Sequence, residues 1–309
     1  MSVLRDVFLA MSTNALVRRA VVGFPLSRRV SRRFVAGETL GDAMAVVQRL
    51  NAQKMQVSLD HLGESVTNES EAWQAKDDYL RALAAIAATQ VSSHISVKLT
   101  QMGLDVSPDL CLDNMRAIVN KAKAIGTFTR IDMEDGRHTQ STLNIFKTLR
   151  EEFDNVGIVI QAYLYRSEAD MQALRAMGAN VRLCKGAYKE AADIAFPEKK
   201  DVDANYLKLA ETYLTENGKS NGAFLALATH DEKIINWARG FTTAHAIERT
   251  RYEFQMLYGI RSDLQRQLVA DGYAMRVYVP YGTHWYPYFM RRLAERPANV
   301  IFLASNLFK

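Results

Sequence analysis

Near its C-terminus the chain reads "PYFMRRLAERPAN", residues 287–299, with Arg291 and Arg292 adjacent and Glu295 within one helical turn. Two guanidiniums suit a carboxylate, because each can donate a bidentate pair of hydrogen bonds. In a helix, Glu295 stands four residues from Arg291 and three from Arg292, so it can steady either one. Adjacent helical residues diverge by about 100°, so both arginines reach one anion only if the helix lies over it. The preceding run "YGTHWYPYF" and the strand before it bring Tyr278, Tyr281, Trp285, Tyr286 and Tyr288 to the same region, as an amphipathic wall around a small ligand. The plain alternative is a solvated helix face.

Three other stretches carry chemistry. "HISVKLT" (94–100) contains Lys98, which needs an acid or an anionic ligand once buried. Asp132 in "FTRIDM" (128–133) is the expected partner, in a pair that either orients a carboxylate or is structural. "RLCKGAYKE" (182–190) offers Arg182 and Lys185, with Gly186 and Ala187 letting the backbone approach a ligand. That charge suits phosphate or the anionic ring of a reduced flavin. "LATHDEK" (227–233) sets Thr229, His230 and Asp231 just before a helix, where backbone amides can cap a phosphate. The six histidines form no HExxH-like cluster, so no zinc site is expected. Cys111 and Cys184 form no CxxC and no disulfide framework, and read as reduced thiols in a cytoplasmic protein.

Something must hold these groups together. Short apolar or β-branched runs recur at 55–60, 94–100, 128–133, 156–163, 179–185, 223–229, 252–257 and 273–280. Amphipathic stretches follow each of them, near 68–89, 108–124, 139–153, 167–177, 201–217, 231–238, 260–270 and 286–296. Pro108 marks a helix start, and Ser167 is the expected N-cap of its helix. Strands alternating with helices imply a parallel sheet. Eight such units at this length predict a (βα)8 barrel, with a doubly wound sheet as the alternative. That alternative lacks a GxGxxG or a P-loop. Barrel chemistry gathers at the C-terminal strand ends. There stand Asp60, Lys98, Asp132, Gln161, Lys185, Thr229 with His230, Gln255 and Tyr278.

The 309 residues, 48% hydrophobic and 24% charged, suit one compact domain. The net charge of +5 is concentrated at the start, where Arg5, Arg18, Arg19, Arg28, Arg29, Arg32 and Arg33 face a single acid, Asp6. This basic segment, taken as residues 1–40 ahead of a catalytic domain at 41–309, reads as covering helices with outward arginines. A contact with an anionic membrane surface and an Arg-rich targeting peptide are the alternatives. No apolar run is long enough to span a bilayer.

Taken as a set, "RLCKGAYKE", "RVYVPYGTHWYPYFMRRLAERPAN", "RIDME", "VIQAYL" and "ATHD" resemble the proline dehydrogenase family, in its monofunctional bacterial form. The resemblance runs from about residue 55 to the end. It implies a distorted (βα)8 TIM-type barrel with extra N-terminal helices and a C-terminal helix covering the active site. It implies FAD, and oxidation of L-proline to Δ1-pyrroline-5-carboxylate with electrons passed to a membrane quinone, at the inner face of the plasma membrane if the enzyme docks there. Carried over by motif, Lys98, Arg291 and Arg292 would hold the proline carboxylate, Asp132 would support Lys98, and Tyr278 and Leu257 would pack on the ring. Gln161, Arg182, Lys185, Gly186, Ala187, Tyr188, Thr229, His230 and Gln255 would bind FAD. The motif "ATHD" has Asp231 where relatives often carry Asn, so that position receives no role. Barrel closure adds one inference of its own: strand eight neighbours strand one, so Glu64 in "DHLGES" would ion-pair with Arg291. Two rival classes remain at this stage, a Schiff-base lyase using Lys185 or Lys98 and a nucleic-acid-binding protein. The second ranks last, since the arginine excess is terminal and no RNA-binding module is apparent.

Overall fold

The computed structural model describes residues 31–63, 65–215 and 222–295, with the side chains of Ala294 and Glu295 excepted. The expectations for residues 1–30, for Glu64 and for the Glu295 side chain therefore lie outside the described residues.

The elements run α1 (Leu40–Ala52), β1 (Gln56–His61), α2 (Glu69–Thr89), β2 (Ser93–Val97), α3 (Pro108–Ala124), β3 (Thr129–Ile131), α4 (Thr139–Glu152), β4 (Val156–Gln161), α5 (Ser167–Ala176), β5 (Asn180–Cys184), α6 (Lys199–Thr215), β6 (Phe224–Ala228), α7 (Glu232–Ala244), β7 (Tyr252–Leu257), α8 (Ser262–Ala270), β8 (Met275–Tyr281) and α9 (Trp285–Glu295). The strands form a closed parallel barrel in chain order, with β1 pairing both β2 and β8. The eight expected units are all present, and the doubly wound alternative is excluded. One helix the sequence reading passed over is α1, which Thr39 opens with a capping box to Asp42. Pro108 stands at a helix start behind the N-cap Ser107. Ser167 is not an N-cap: Arg166 holds that place, and the Ser167 hydroxyl donates to the Gln161 carbonyl at 2.6 Å instead.

Side chains alternate along each strand between two environments. Leu59, Val97, Ile131, Ile158, Ile160, Leu183, Leu227, Phe254 and Val279 join the apolar core shared with the helices. Several of the alternate positions, which face across the barrel, are polar. Arg182 shows this best: from β5 it donates to Asp132 just beyond β3 at 2.8 Å, to Ser58 on β1 at 3.0 Å, to Ser96 on β2 at 3.1 Å and to Gln255 on β7 at 2.5 Å. Nearer the other end, Arg276 pairs with Glu253 at 2.8 Å. Arg130, fully buried, donates to the carbonyls of Ile158 at 3.0 Å and Asn180 at 2.6 Å. Gly157 makes room for it, since a Cβ there would sit 2.6 Å from its guanidinium and 2.5 Å from the Asn180 carbonyl. Burial, and then the charges of Arg276, Arg130 and Arg182, push the His94 imidazole well below its usual range, so it is neutral.

Residues 34–38 are laced to the barrel rather than separate from it. Ala36 N–H donates to the Pro280 carbonyl at 2.8 Å, and Phe34 and Val35 pack with Leu62 and α9. From α9, Trp285, Tyr286, Phe289, Met290 and Leu293 enter this second apolar cluster. Among the described residues no helix is long and apolar enough to cross a membrane.

Candidate active site

A cavity of about 260 Å³ opens at the C-terminal ends of the strands, close to the size of a small-ligand pocket. Every described residue that the family resemblance assigned to substrate or cofactor lines it: Lys98, Asp132, Leu257, Tyr278, Arg291 and Arg292, and the nine from Gln161 to Gln255. Barrel order sorts them into two arcs. The cofactor candidates run without interruption along β4, β5, β6 and β7 and the loops just beyond them. Lys98 follows β2, Asp132 follows β3, Tyr278 is on β8, and the two arginines come from α9.

Tyr288, Arg291 and Arg292 are at i, i+3 and i+4, so they share a helix face, and the adjoining face with Trp285, Phe289 and Leu293 anchors the helix in the second apolar cluster. Arg292 lies over the Tyr288 ring at 5.1 Å and Arg291 over the Tyr188 ring at 6.0 Å. Arg292 is buried. Of the expected aromatic wall, Tyr278 and Tyr288 line the cavity. Trp285 and Tyr286 go into the α9 cluster, and Tyr281 packs against His61 with ring centroids 5.0 Å apart at a tilt.

The acid that holds Lys98 is Asp60, with both carboxylate oxygens 3.0 Å from Nζ. This corrects the assignment of Asp132 to that task. Asp132 accepts from Arg182 at 2.8 Å and from the Tyr278 hydroxyl at 2.8 Å. Burial, and next the charge of Asp132, push the Tyr278 phenol well above its usual range, so it stays a donor. Sequence order favoured Asp132 as the neighbour on one side. Barrel register places Asp60 level with Ser96 on the other.

On the cofactor arc, His230 Nε2 accepts from the Leu257 N–H at 2.9 Å. An amide can only donate, so Nε2 carries no proton and the ring proton of the neutral form is on Nδ1. Lys185 is paired with Asp203 at 2.5 Å and with Asp231 at 2.8 Å, and Asp231 also caps α7 through the Lys233 N–H. These two acids were not assigned any role from sequence. Gln161 donates to the Glu134 carbonyl at 2.7 Å, and Glu134 in turn accepts from Thr100 N–H at 3.0 Å. Cys184 lines the cavity, and burial pushes its thiol up to about 12, so it is not a nucleophile at neutral pH.

Gly186 has φ +114°, and a Cβ there would lie 2.4 Å from the Tyr163 ring. That ring is fixed, since Tyr163 N–H donates to the Lys185 carbonyl at 2.9 Å and its hydroxyl to Glu190 at 3.2 Å. Gly186→Ala is expected to destabilise the protein by about 2–4 kcal/mol, combining backbone strain with overpacking. A urea denaturation curve unchanged from wild type would contradict this.

The loop beyond β3 carries a pH-sensitive clamp. His138 bridges Asp105 and Asp135, each at 2.9 Å. Burial opposes the imidazolium, but the Asp105 hydrogen bond and the charges of Asp135 and Asp105 outweigh it, and the pKa is raised above 6.5. The stabilisation is therefore complete below about 6.5, the unfolded value, and is lost as pH rises through the folded value. The stability advantage of wild type over His138→Gln should shrink from pH 6 to pH 8.5. Parallel stability profiles would show that the clamp contributes nothing.

A family model described as proline dehydrogenase matches residues 43–305. The chain belongs to the proline dehydrogenase family. It is 44% identical over 306 residues to proline dehydrogenase 1 of Bacillus subtilis (strain 168), covering 99% of both chains. It is 42% identical over 285 residues to proline dehydrogenase of Deinococcus radiodurans, covering 91% of this chain and 90% of that one. Among solved structures it resembles proline utilization A from Bdellovibrio bacteriovorus inactivated by N-propargylglycine, with a TM-score of 0.81 at 27% identity. That match covers 94% of this chain and 36% of the longer one. The chain is an enzyme of the proline dehydrogenase family, whose general reaction is the FAD-linked oxidation of proline toward pyrroline-5-carboxylate.

Proposed function

We propose that the cavity binds L-proline between the α9 arginines and the β4–β7 arc, and that FAD lies on that arc. The observation that carries this reading is the convergence of Lys98, Arg291 and Arg292 on one side of a cavity whose other side carries Gln161, Arg182, Lys185, Thr229, His230 and Gln255. Three cations from two elements fit a carboxylate.

The residues present fit FAD. Gly186, which cannot carry a side chain without meeting Tyr163, keeps the 186–187 backbone bare at the cavity wall. Arg182 has one guanidinium hydrogen beyond the four bonds it makes inside the barrel. Lys185 and His230, with its Nδ1–H, add donors along the same arc. When bound, FAD supplies the two-electron acceptor for the hydride from the carbon next to the ring nitrogen. The chain's own work is positioning. Lys98, Arg291 and Arg292 fix the carboxylate, Tyr278 and Leu257 confine the ring, and α9 closes the cavity against water. Asp132 keeps Tyr278 and Arg182 in place. The substrate loses a hydride and a proton and leaves as the cyclic imine.

A quinone is the proposed second acceptor. The basic segment at residues 1–35 is the proposed contact with the membrane that holds it, ahead of the catalytic domain. Co-sedimentation with anionic vesicles should fall when residues 1–35 are removed, and equal binding would remove the segment from this role. The function itself is tested by giving the purified protein L-proline and an artificial electron acceptor. Cyclic imine should form in step with acceptor reduction. Acceptor reduction without imine would assign another substrate.

A further inference from the structure

We propose that Asp60 is the positioning residue of the substrate-carboxylate site, acting through Lys98. The proposal rests on the reading of Lys98 as a carboxylate-binding cation. Asp60 ends β1, is fully buried, and meets Lys98 Nζ with both oxygens at 3.0 Å. Two of the three ammonium N–H bonds thus face Asp60, and the carboxylate sets where the charge stands. The Tyr79 hydroxyl, itself fully buried, lies 3.3 Å from Asp60 and within 3.4 Å of the His61 carbonyl and of Gln101, so it steadies the acid from behind.

Lys98 needs this tether because it borders two spaces. One is the main cavity. The other is a smaller cavity lined by Leu62, Gly63, His284, Pro287, Tyr288 and Arg291 as well as Lys98. A lysine stem is flexible, and without a fixed acid its head can turn toward either space. Asp132 does not substitute, since Arg182 and Tyr278 already bond it.

Two physical effects of Asp60 have opposite signs, which makes the proposal testable. As a negative charge near the site, Asp60 weakens the attraction for an anion, so its neutralisation would lower KM for proline. As a tether, it aims the ammonium, so its neutralisation raises KM. Directional contact outweighs the charge effect here, because an ammonium turned away from the substrate loses its hydrogen bond to the carboxylate altogether.

The experiment measures KM and kcat for L-proline in flavin-loaded wild type, Asp60→Asn, Lys98→Met and the double variant, with urea midpoints for all four. Asp60→Asn should raise KM about tenfold, the loss of one charge-assisted hydrogen bond, with kcat within about twofold. In the Lys98→Met background the same change should add nothing to KM, because its route is already gone. It should also restore part of the stability that Lys98→Met loses, since that variant leaves a buried carboxylate without its cation. An unchanged or lowered KM in Asp60→Asn, or multiplicative effects in the double variant, overturns the proposal. If Asp60→Asn does not fold alone, the double variant against Lys98→Met decides it: a further rise in KM overturns it, and an equal KM with a higher urea midpoint supports it. Wild type that does not oxidise proline would sink the functional reading instead, so the two failures are distinguishable.

Discussion

Replacing Arg292 by Met is expected to raise KM for L-proline about 10–100-fold while the flavin stays bound. Each charge-assisted contact to a carboxylate is worth about 1.5–3 kcal/mol, which is that range in affinity. Met keeps an apolar stem, so the packing of α9 is retained, while the guanidinium's place over the Tyr288 ring is lost. Arg292→Lys should recover part of the loss at most, because an ammonium cannot reproduce the guanidinium fork. Arg291→Met should act in the same direction but less strongly, since Arg291 is less buried than Arg292. The loss belongs in KM more than in kcat if the arginines bind ground state and transition state alike. Unchanged kinetics in Arg292→Met would take α9 out of substrate binding.

The second large effect is expected on stability. Arg182→Ala removes a buried cation that ties β5 to three other strands and to Asp132 just beyond β3. It strands Asp132 in the barrel with the Tyr278 hydroxyl. Breaking a buried pair in this way costs about 3–5 kcal/mol, much of it for the charge left behind. Equilibrium denaturation should show a loss of that size, and adding Asp132→Asn should return part of it. A loss below about 1 kcal/mol, the scale of a surface pair, would mean that water enters the barrel interior. Since Arg182 also lines the cavity, the same variant should release flavin more readily.

The barrel was legible because most strands are short apolar runs closed by a polar residue, and each helix an amphipathic stretch of ordinary length. The strand ends named the cavity for the same reason, since parallel strands deliver their last residues to one face. What the sequence concealed was partnership across the barrel. Arg182 and Ser58 are 124 positions apart, and Lys98 and Asp60 are 38 apart, yet they are in contact. Linear order favoured Asp132 for Lys98, whereas closure and register gave it Asp60. A period of two within "HISVK" and "YEFQML" already carried the signal for buried polar positions at His94, Ser96, Glu253 and Gln255. The fate of the aromatics was hidden for a different reason. Whether Tyr286 or Tyr288 faces the ligand depends on how α9 rolls, and that is set by Phe34, Val35 and Leu62. Asp231 and Asp203 were silent because an acid near a lysine in sequence space says nothing until β5, α6 and α7 bring them together.

The most direct test of the central claim is the visible spectrum of the FAD-loaded protein, titrated with L-proline in the absence of oxygen. Bleaching of the oxidised flavin band with saturation in proline is the predicted result. It would fix cofactor, substrate and redox chemistry in one titration. A flavin band that stays oxidised at high proline would contradict the assignment of proline as the substrate. A protein that takes up no FAD would contradict the placement of the cofactor on the β4–β7 arc.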